Sequence, residues 1–280
     1  MLDEIKIIQD SLNLYTDSMT TEIDLVNNYS DYCKFIVLGQ GRSGSNFLLG
    51  LLNSHSQVIA YGELFGFQDI DWSLPKYNPY SKFKTLVSLI NKNPEIFLER
   101  IILRKYLPLI SAVGFKILYF HAKGDSGESV WHFLQNRQDI KIIHLKRKNL
   151  LKSFLSSKKA LITNEWVVSS QKGINNKPKE VTVSLDYQEC LGYFKWTQAS
   201  METHDLLFAN HQKIDVVYED LSQDYESEMK RVQEFLELDY ETLKPNTLKQ
   251  SSLSLSESIS NYLELKEKFQ NTPWAIFFED

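Results

Sequence analysis

The 280-residue chain is 42% hydrophobic and 24% charged, a composition that suits one large soluble domain with an ample core. Its net charge of −5 excludes a general nucleic-acid or membrane-surface binder, so any anion site has to be built locally. No stretch approaches the ~18 apolar residues of a membrane span and the acidic start MLDEIKIIQD does not read as a signal peptide, so a cytoplasmic location without stable membrane insertion is expected.

Residues 1–30 read as a short amphipathic lead-in with no assignable role. KFIVLG, Lys34 to Gly39, is β-branched, apolar and closed by glycine, the signature of a buried strand. Apolar positions from Asn46 onward make a helix that packs on the sheet. Further strands are expected at Gln57 to Glu63, Ala112 to Phe120, Ile140 to Arg147 and Lys213 to Leu221. Helical patterns lie at Tyr80 to Lys92, Pro94 to Tyr106, Ser129 to Asn136, Asn149 to Leu161, Tyr187 to Asn210 and Tyr225 to Leu236, with a last one around Ser258 to Phe269. Strands alternating with helices predict an α/β fold with a mostly parallel central sheet covered on both faces. Asp69 to Pro79 looks irregular. Ser169 to Thr182 is polar and reads as a lid, a substrate wall or plain disorder.

The strand at Lys34 to Gly39 runs into GQGRSGSN and then a helix. This places backbone N–H groups and the positive end of a helix dipole at one point. Gly39, Gly41 and Gly44 supply a permissive backbone, Ser43, Ser45 and Asn46 side-chain donors, and Arg42 a bidentate cation. Gly39 and Gly44 have the spacing of an ATP-type loop, but Ser45 and Asn46 follow where lysine and Ser/Thr belong. The dinucleotide pattern G-x-G-x-x-G occurs too, without an acid in a convincing ribose position. A second basic point lies at IKIIHLKRKNLLKSFLSS. Here Arg147 ends a strand, Asn149 can cap the next helix, and Ser153, Ser156 and Ser157 fall in its first turns.

GQGRSGSNFL resembles the 5'-phosphosulfate loop of sulfotransferases that use 3'-phosphoadenylyl sulfate (PAPS). In that family a basic residue followed by Ser-Gly-Thr/Ser-Thr/Asn replaces the ATP-type loop. Arg42-Ser43-Gly44-Ser45-Asn46 is the matching run, with arginine where the family often has lysine. The resemblance implies that Gly41, Arg42, Ser43, Gly44, Ser45 and Asn46 bind PAPS. It puts Phe47 where many members set an aromatic against adenine, a core position being the other reading. Arg147 and Ser156 resemble the family's 3'-phosphate signature, with Ser153 in reserve. LKQSSLSLSESISNYLEL resembles the C-terminal segment of bacterial members, where Lys249 either reaches the 3'-phosphate or adenine or is merely solvated. VVYEDL, closing a strand, resembles a recurrent structural segment.

The likeness runs from about Phe35 to Leu265 and is nearest in pattern to bacterial carbohydrate sulfotransferases such as nodulation-factor enzymes. It is weakest between Gly66 and Val113 and between Leu161 and Val183, where acceptor specificity should lie. It implies one three-layer α/β/α, P-loop-like domain over residues 1–280, with 66–111 and 161–183 as substrate-side insertions. The implied activity is sulfuryl transfer from PAPS to a hydroxyl on a saccharide, a glycolipid or another small acceptor.

Glu63 closes the YGE strand at the same sheet edge as the loop, and the resemblance points to it as the catalytic base. Arg42 would stabilise the leaving phosphate, and Lys116 resembles a strand lysine that assists some relatives. His55 ends the loop's helix and is either a base or a dipole partner. His121 and His144 read as structural. Tyr61, Phe65, Phe67, Trp72 and Tyr77 either stack on sugar faces or fill the core. Cys33 and Cys190 read as reduced thiols, and no His, Cys, Asp or Glu cluster has metal-ligand spacing, so a metal-independent reaction is expected. The rivals are a P-loop kinase or NTPase with an atypical loop, which would bind ATP with Mg²⁺, and a non-catalytic nucleotide-binding relative.

Overall fold

Five parallel strands form one sheet in the order β2-β3-β1-β4-β5 in a computed structural model that describes residues 31–66, 90, 92–123, 125–166, 180–246 and 253–279. The strands are β1 (Cys33–Gly39), β2 (Val58–Glu63), β3 (Ala112–Leu118), β4 (Ile140–Lys146) and β5 (Lys213–Val217). The first four are continuous apolar runs rather than alternating ones, because helices cover both faces. One face carries α1 (Ser45–Leu52) against Phe35, Val37 and Leu145. The other carries a short helix α2 (Pro94–Phe97), which widens into a π turn at Leu98–Ile102, and α3 (Asp125–Asn136). A third cluster joins α4 (Leu150–Thr163), the start of α5 (Tyr187–Leu207) and the C-terminal segment.

The α/β class with a parallel sheet agrees with the sequence reading, and three differences have local causes. The Lys213 to Leu221 strand stops at Val217, and Tyr218–Gln223 is a helix, α6. Its first turn holds Glu219 and Asp220, and acids there suit the dipole. The carboxylate of Glu219 also accepts from Lys148 N at 2.9 Å and Asn149 N at 3.1 Å, capping the start of α4. The Pro94 to Tyr106 helix ends at Ile102, and Tyr106 instead turns its hydroxyl back to the Ile102 carbonyl at 2.8 Å. The helix around Ser258 to Phe269 is two pieces: Leu255–Ser258 (α8, with Ser254 and Glu257 forming a capping box) and Tyr262–Phe269 (α9). An eleven-residue helix, α7 (Tyr225–Phe235), precedes them. Most of the helix expected at Tyr80 to Lys92, the irregular Asp69 to Pro79 and most of Ser169 to Thr182 lie outside the described residues.

Strand order fixes where a ligand can sit. β1 lies between β3 and β4, and the chain leaves it toward β2 on one side and later crosses to β4 on the other. The loop after β1 is therefore at the topological switch point, where open α/β sheets bind ligands. Its last residue, Gly44, has φ 90°, and a Cβ there would lie 2.1 Å from Tyr218 Cδ2. Gly44→Ala is expected to lower the unfolding free energy by about 2 kcal/mol or more, from the left-handed backbone and the displaced ring together. Gly192→Ala, in open helical surroundings, should be neutral or slightly stabilising. Urea unfolding of the two variants checks the contrast.

Candidate active site

The helix after the loop is open at its N-terminus. Its N-cap is Gly44, so no side chain closes the free N–H groups, and its first turn holds no acid. Phe47 N and Leu48 N both turn back to the Gly44 carbonyl, at 3.0 and 3.1 Å. Ser43 is fully buried and its hydroxyl donates to Gln40 O at 2.8 Å, so that side chain is spent holding the loop together.

Arg42 sits in the left-handed region, φ 64°, uncommon for a residue with a side chain. Two contacts hold it there: Arg147 Nη1 donates to the Arg42 carbonyl at 2.7 Å and Ser153 Oγ at 3.3 Å. The Arg42 guanidinium in turn donates from Nε to Ser156 Oγ at 3.0 Å and from Nη1 to the Trp166 carbonyl, and lies 5.9 Å from the Trp166 ring centre. The loop and the strand-end basic point, 105 residues apart in sequence, thus adjoin in space.

Both guanidiniums pay for this position. Burial, and then the charge of Arg147, pulls Arg42 below the usual arginine range, and burial does the same to Arg147. Arg147 lies 4.5 Å over the Tyr218 ring, and its buried Nε makes no hydrogen bond. Glu219 is 3.9 Å from that nitrogen. Two neighbouring half-buried cations beside an uncapped helix N-terminus form a site that an anion would stabilise.

A second chain of contacts runs from the helix to the base candidate. Lys116, buried in β3, donates to Asn46 Oδ1 at 2.6 Å and pairs with Glu63 Oε1 at 2.9 Å. A bulge makes this possible. Tyr61 pairs with Phe115, but Glu63 rather than Gly62 pairs with Lys116. Strict alternation would leave Glu63 on the face of Tyr61; the extra residue rolls it onto the face of Lys116 and α1. His121 then closes the group from the turn after β3, its Nε2 3.3 Å from Glu63 Oε2. Burial alone would raise the Glu63 carboxyl; the His121 contact and the Lys116 charge outweigh it and hold the group at about 2.

The remaining candidates fall as follows. Ser45 is buried at the head of α1, and Gly41 lies under the Phe120 ring. Phe47 is half-buried, edge-to-face on Tyr225 at 6.2 Å, against the core. Tyr61 and Phe65 pack in the core, Tyr61 through a hydroxyl contact to Tyr106 and Phe65 on Phe97 and Phe115. His55 is buried and meets the Asp239 carbonyl at 2.9 Å, a fastening of the chain beyond α7 rather than a basic group at the cradle. Lys249, Phe67, Trp72 and Tyr77 lie outside the described residues.

Sequence reasoning missed the contacts of His121, Trp166, Tyr193 and Tyr218. Tyr193 accepts from Gln40 Nε2 at 2.9 Å and so fixes the loop from α5. A position three residues past a buried strand, on the same edge as the loop, was the only signal for His121. Folding also gathers His144, Asp205 and Asp215, whose ligand atoms lie within 4.8 Å of one another. No spacing along the chain announces this group. Lys146 bonds both carboxylates, each at 2.8 Å, and Lys213 bonds Asp205, so cations already neutralise it.

These features describe an α/β protein with an open helix N-terminus after its first strand, a pair of arginines and an adjoining carboxylate. Residues 134–242 match the family model described as the Sulfotransferase family. Over 88% of its length the chain is 26% identical to Nodulation protein H of Rhizobium tropici, covering 92% of that protein. It is 27% identical to Nodulation protein H of Rhizobium meliloti (strain 1021), covering 94% of it. A sulfotransferase structure from Alicyclobacillus acidocaldarius aligns with 89% of this chain and 95% of its own, at 12% identity and TM-score 0.47. The chain is thus similar to the sulfotransferase family over part of its length and to the nodulation proteins over most of it. Among the described residues no helix is long and apolar enough to cross a membrane.

Proposed function

We propose that the protein transfers a sulfuryl group from PAPS to a hydroxyl of a saccharide-type acceptor. The observation that carries this reading is the contact between the two anion points: Arg147 touches the backbone of Arg42, and Arg42 touches Ser156. PAPS carries a phosphosulfate on the 5' oxygen and a phosphate on the 3' oxygen of one ribose, and so needs two such points close together, no more than a sugar apart. The N-terminus of α1, with Gly41 to Asn46, would hold the phosphosulfate, and Arg147 with Ser156 or Ser153 the 3'-phosphate. Phe47 and Lys249 are the proposed adenine-side residues. The absence of the loop lysine disfavours the Mg²⁺-dependent ATP reading.

The acceptor oxygen attacks sulfur as the bond from sulfur to the bridging phosphate oxygen breaks. The acceptor proton passes to Glu63, and the products are the sulfate ester and adenosine 3',5'-bisphosphate. A loose transition state leaves the acceptor proton in place until the new bond is well formed, when the hydroxyl has become acidic. A carboxylate held at about 2 is then base enough, and its placement matters more than its strength. Lys116, bonded to both Asn46 and Glu63, brings positive charge to the leaving side. Incubation with ³⁵S-labelled PAPS and a panel of oligosaccharides tests the reading: label transferred to a saccharide supports it, and no transfer to any acceptor with intact donor contradicts it.

A further inference from the structure

We propose that His121 is a positioning residue that orients the Glu63 carboxylate through a fixed Nε2–H tautomer. This rests on the reading of Glu63 as the base. The backbone dictates the tautomer: Leu118 N–H donates to His121 Nδ1 at 3.2 Å, so Nδ1 is unprotonated and the ring proton sits on Nε2. Nε2 is fully buried and faces Glu63 Oε2 at 3.3 Å, a long and poorly aligned approach with no better acceptor among the described residues. Such contacts tighten in the loaded enzyme. Lys116 holds the other oxygen, Oε1, at 2.9 Å. With Lys116 on one oxygen and His121 facing the other, rotation of the carboxylate plane is restrained. The charged and titratable groups facing Glu63 are Lys116 from β3, His121 from the turn and, at longer range, Arg42 from the loop.

The turn that carries His121 is itself fastened. Tyr119 N–H donates to Gly39 O at 3.0 Å, and Ala122 N–H reaches the Phe65 carbonyl at 3.4 Å, tying the turn to the ends of β1 and β2. The Tyr119 hydroxyl donates to His144 Nε2, whose Nδ1–H donates to Asp205 at 3.0 Å. The Tyr119 ring stacks on His204 at 4.6 Å. Ala122 takes φ 51° to close the turn. The ring of His121 is therefore delivered to one place by three strand ends.

Two substitutions separate the ring's two nitrogens. In His121→Asn the side-chain oxygen stands near the place of Nδ1, keeping the bond to Leu118 N–H and losing the donor to Glu63. In His121→Gln the amide N–H stands near the place of Nε2 and keeps that donor. His121→Asn is expected to lower kcat about tenfold or more with KM for PAPS nearly unchanged, and to move the acid limb of kcat upward, because burial then acts on Glu63 with one donor fewer. His121→Gln should restore kcat to within about threefold and keep the acid side flat. Wild-type kinetics in His121→Asn, or equal impairment in both variants, overturns the proposal. Long-range ¹H–¹⁵N correlation spectra of the wild-type protein test it without a variant or an activity: the Nε2–H tautomer at His121 is expected, and an Nδ1–H tautomer sinks it. Absence of sulfuryl transfer by the wild type would instead count against the proposed function and leave the tautomer result standing.

Discussion

Glu63→Gln is expected to lower kcat by about 10²–10⁴-fold, the usual contribution of a placed general base, while affinity for adenosine 3',5'-bisphosphate changes little. The substitution keeps shape and leaves a carbonyl oxygen for Lys116, so the buried lysine is not stranded. It removes the carboxylate that the bulge at Tyr61/Glu63 brings beside Lys116 and the first turn of α1. Steady-state transfer of labelled sulfuryl, with calorimetry on the same preparation, reads both quantities. In the wild type the active, ionised carboxylate is present above about 2 and is lost only as pH falls through that value. Its kcat should accordingly show no acid limb from this group in the range where the protein is folded. Near-wild-type turnover in Glu63→Gln would remove the carboxylate from the chemistry and leave Lys116 and Arg42 as pure charge stabilisers.

Arg147→Ala should weaken adenosine 3',5'-bisphosphate by about 10–100-fold, the scale of a charge-assisted phosphate contact. Arg147→Lys should recover only part of this, since a point charge replaces a planar fork. Arg147 also supports the backbone of Arg42, which sits in a strained conformation, so some of the loss will come through the loop. Salt titration separates the two parts: a lost phosphate contact reduces the salt dependence of binding, and a loosened loop does not. Calorimetric titration of the three proteins, with circular dichroism to confirm folding, gives the numbers.

Much of this candidate site is legible in the sequence. Gly and Ser between two apolar runs give strand, turn and helix, and Gly44 is required where the chain takes φ 90° against Tyr218. Arg147 at a strand end follows from the apolar run Ile140–Lys146. The bulge did not follow, because one extra residue in β2 leaves the residue pattern unchanged while reversing which face Glu63 occupies. The helix at Tyr218–Gln223 was hidden for a similar reason: a β-branched lead suggested strand, and the carboxylate of Glu219 is used by the backbone of a distant segment, Lys148 and Asn149. His121 and the His144, Asp205 and Asp215 group are assembled from separate elements, and no local pattern records which strand ends will meet.

The central claim is that one nucleotide spans the helix N-terminus and Arg147. Calorimetric titration of the wild-type protein with adenosine 3',5'-bisphosphate, 5'-AMP and 3'-AMP tests it directly. The bisphosphate is expected to bind at least about tenfold more tightly than either monophosphate, because each phosphate then meets its own charged point. Equal affinity for 5'-AMP and the bisphosphate, or no binding of the bisphosphate at millimolar concentration, would contradict it.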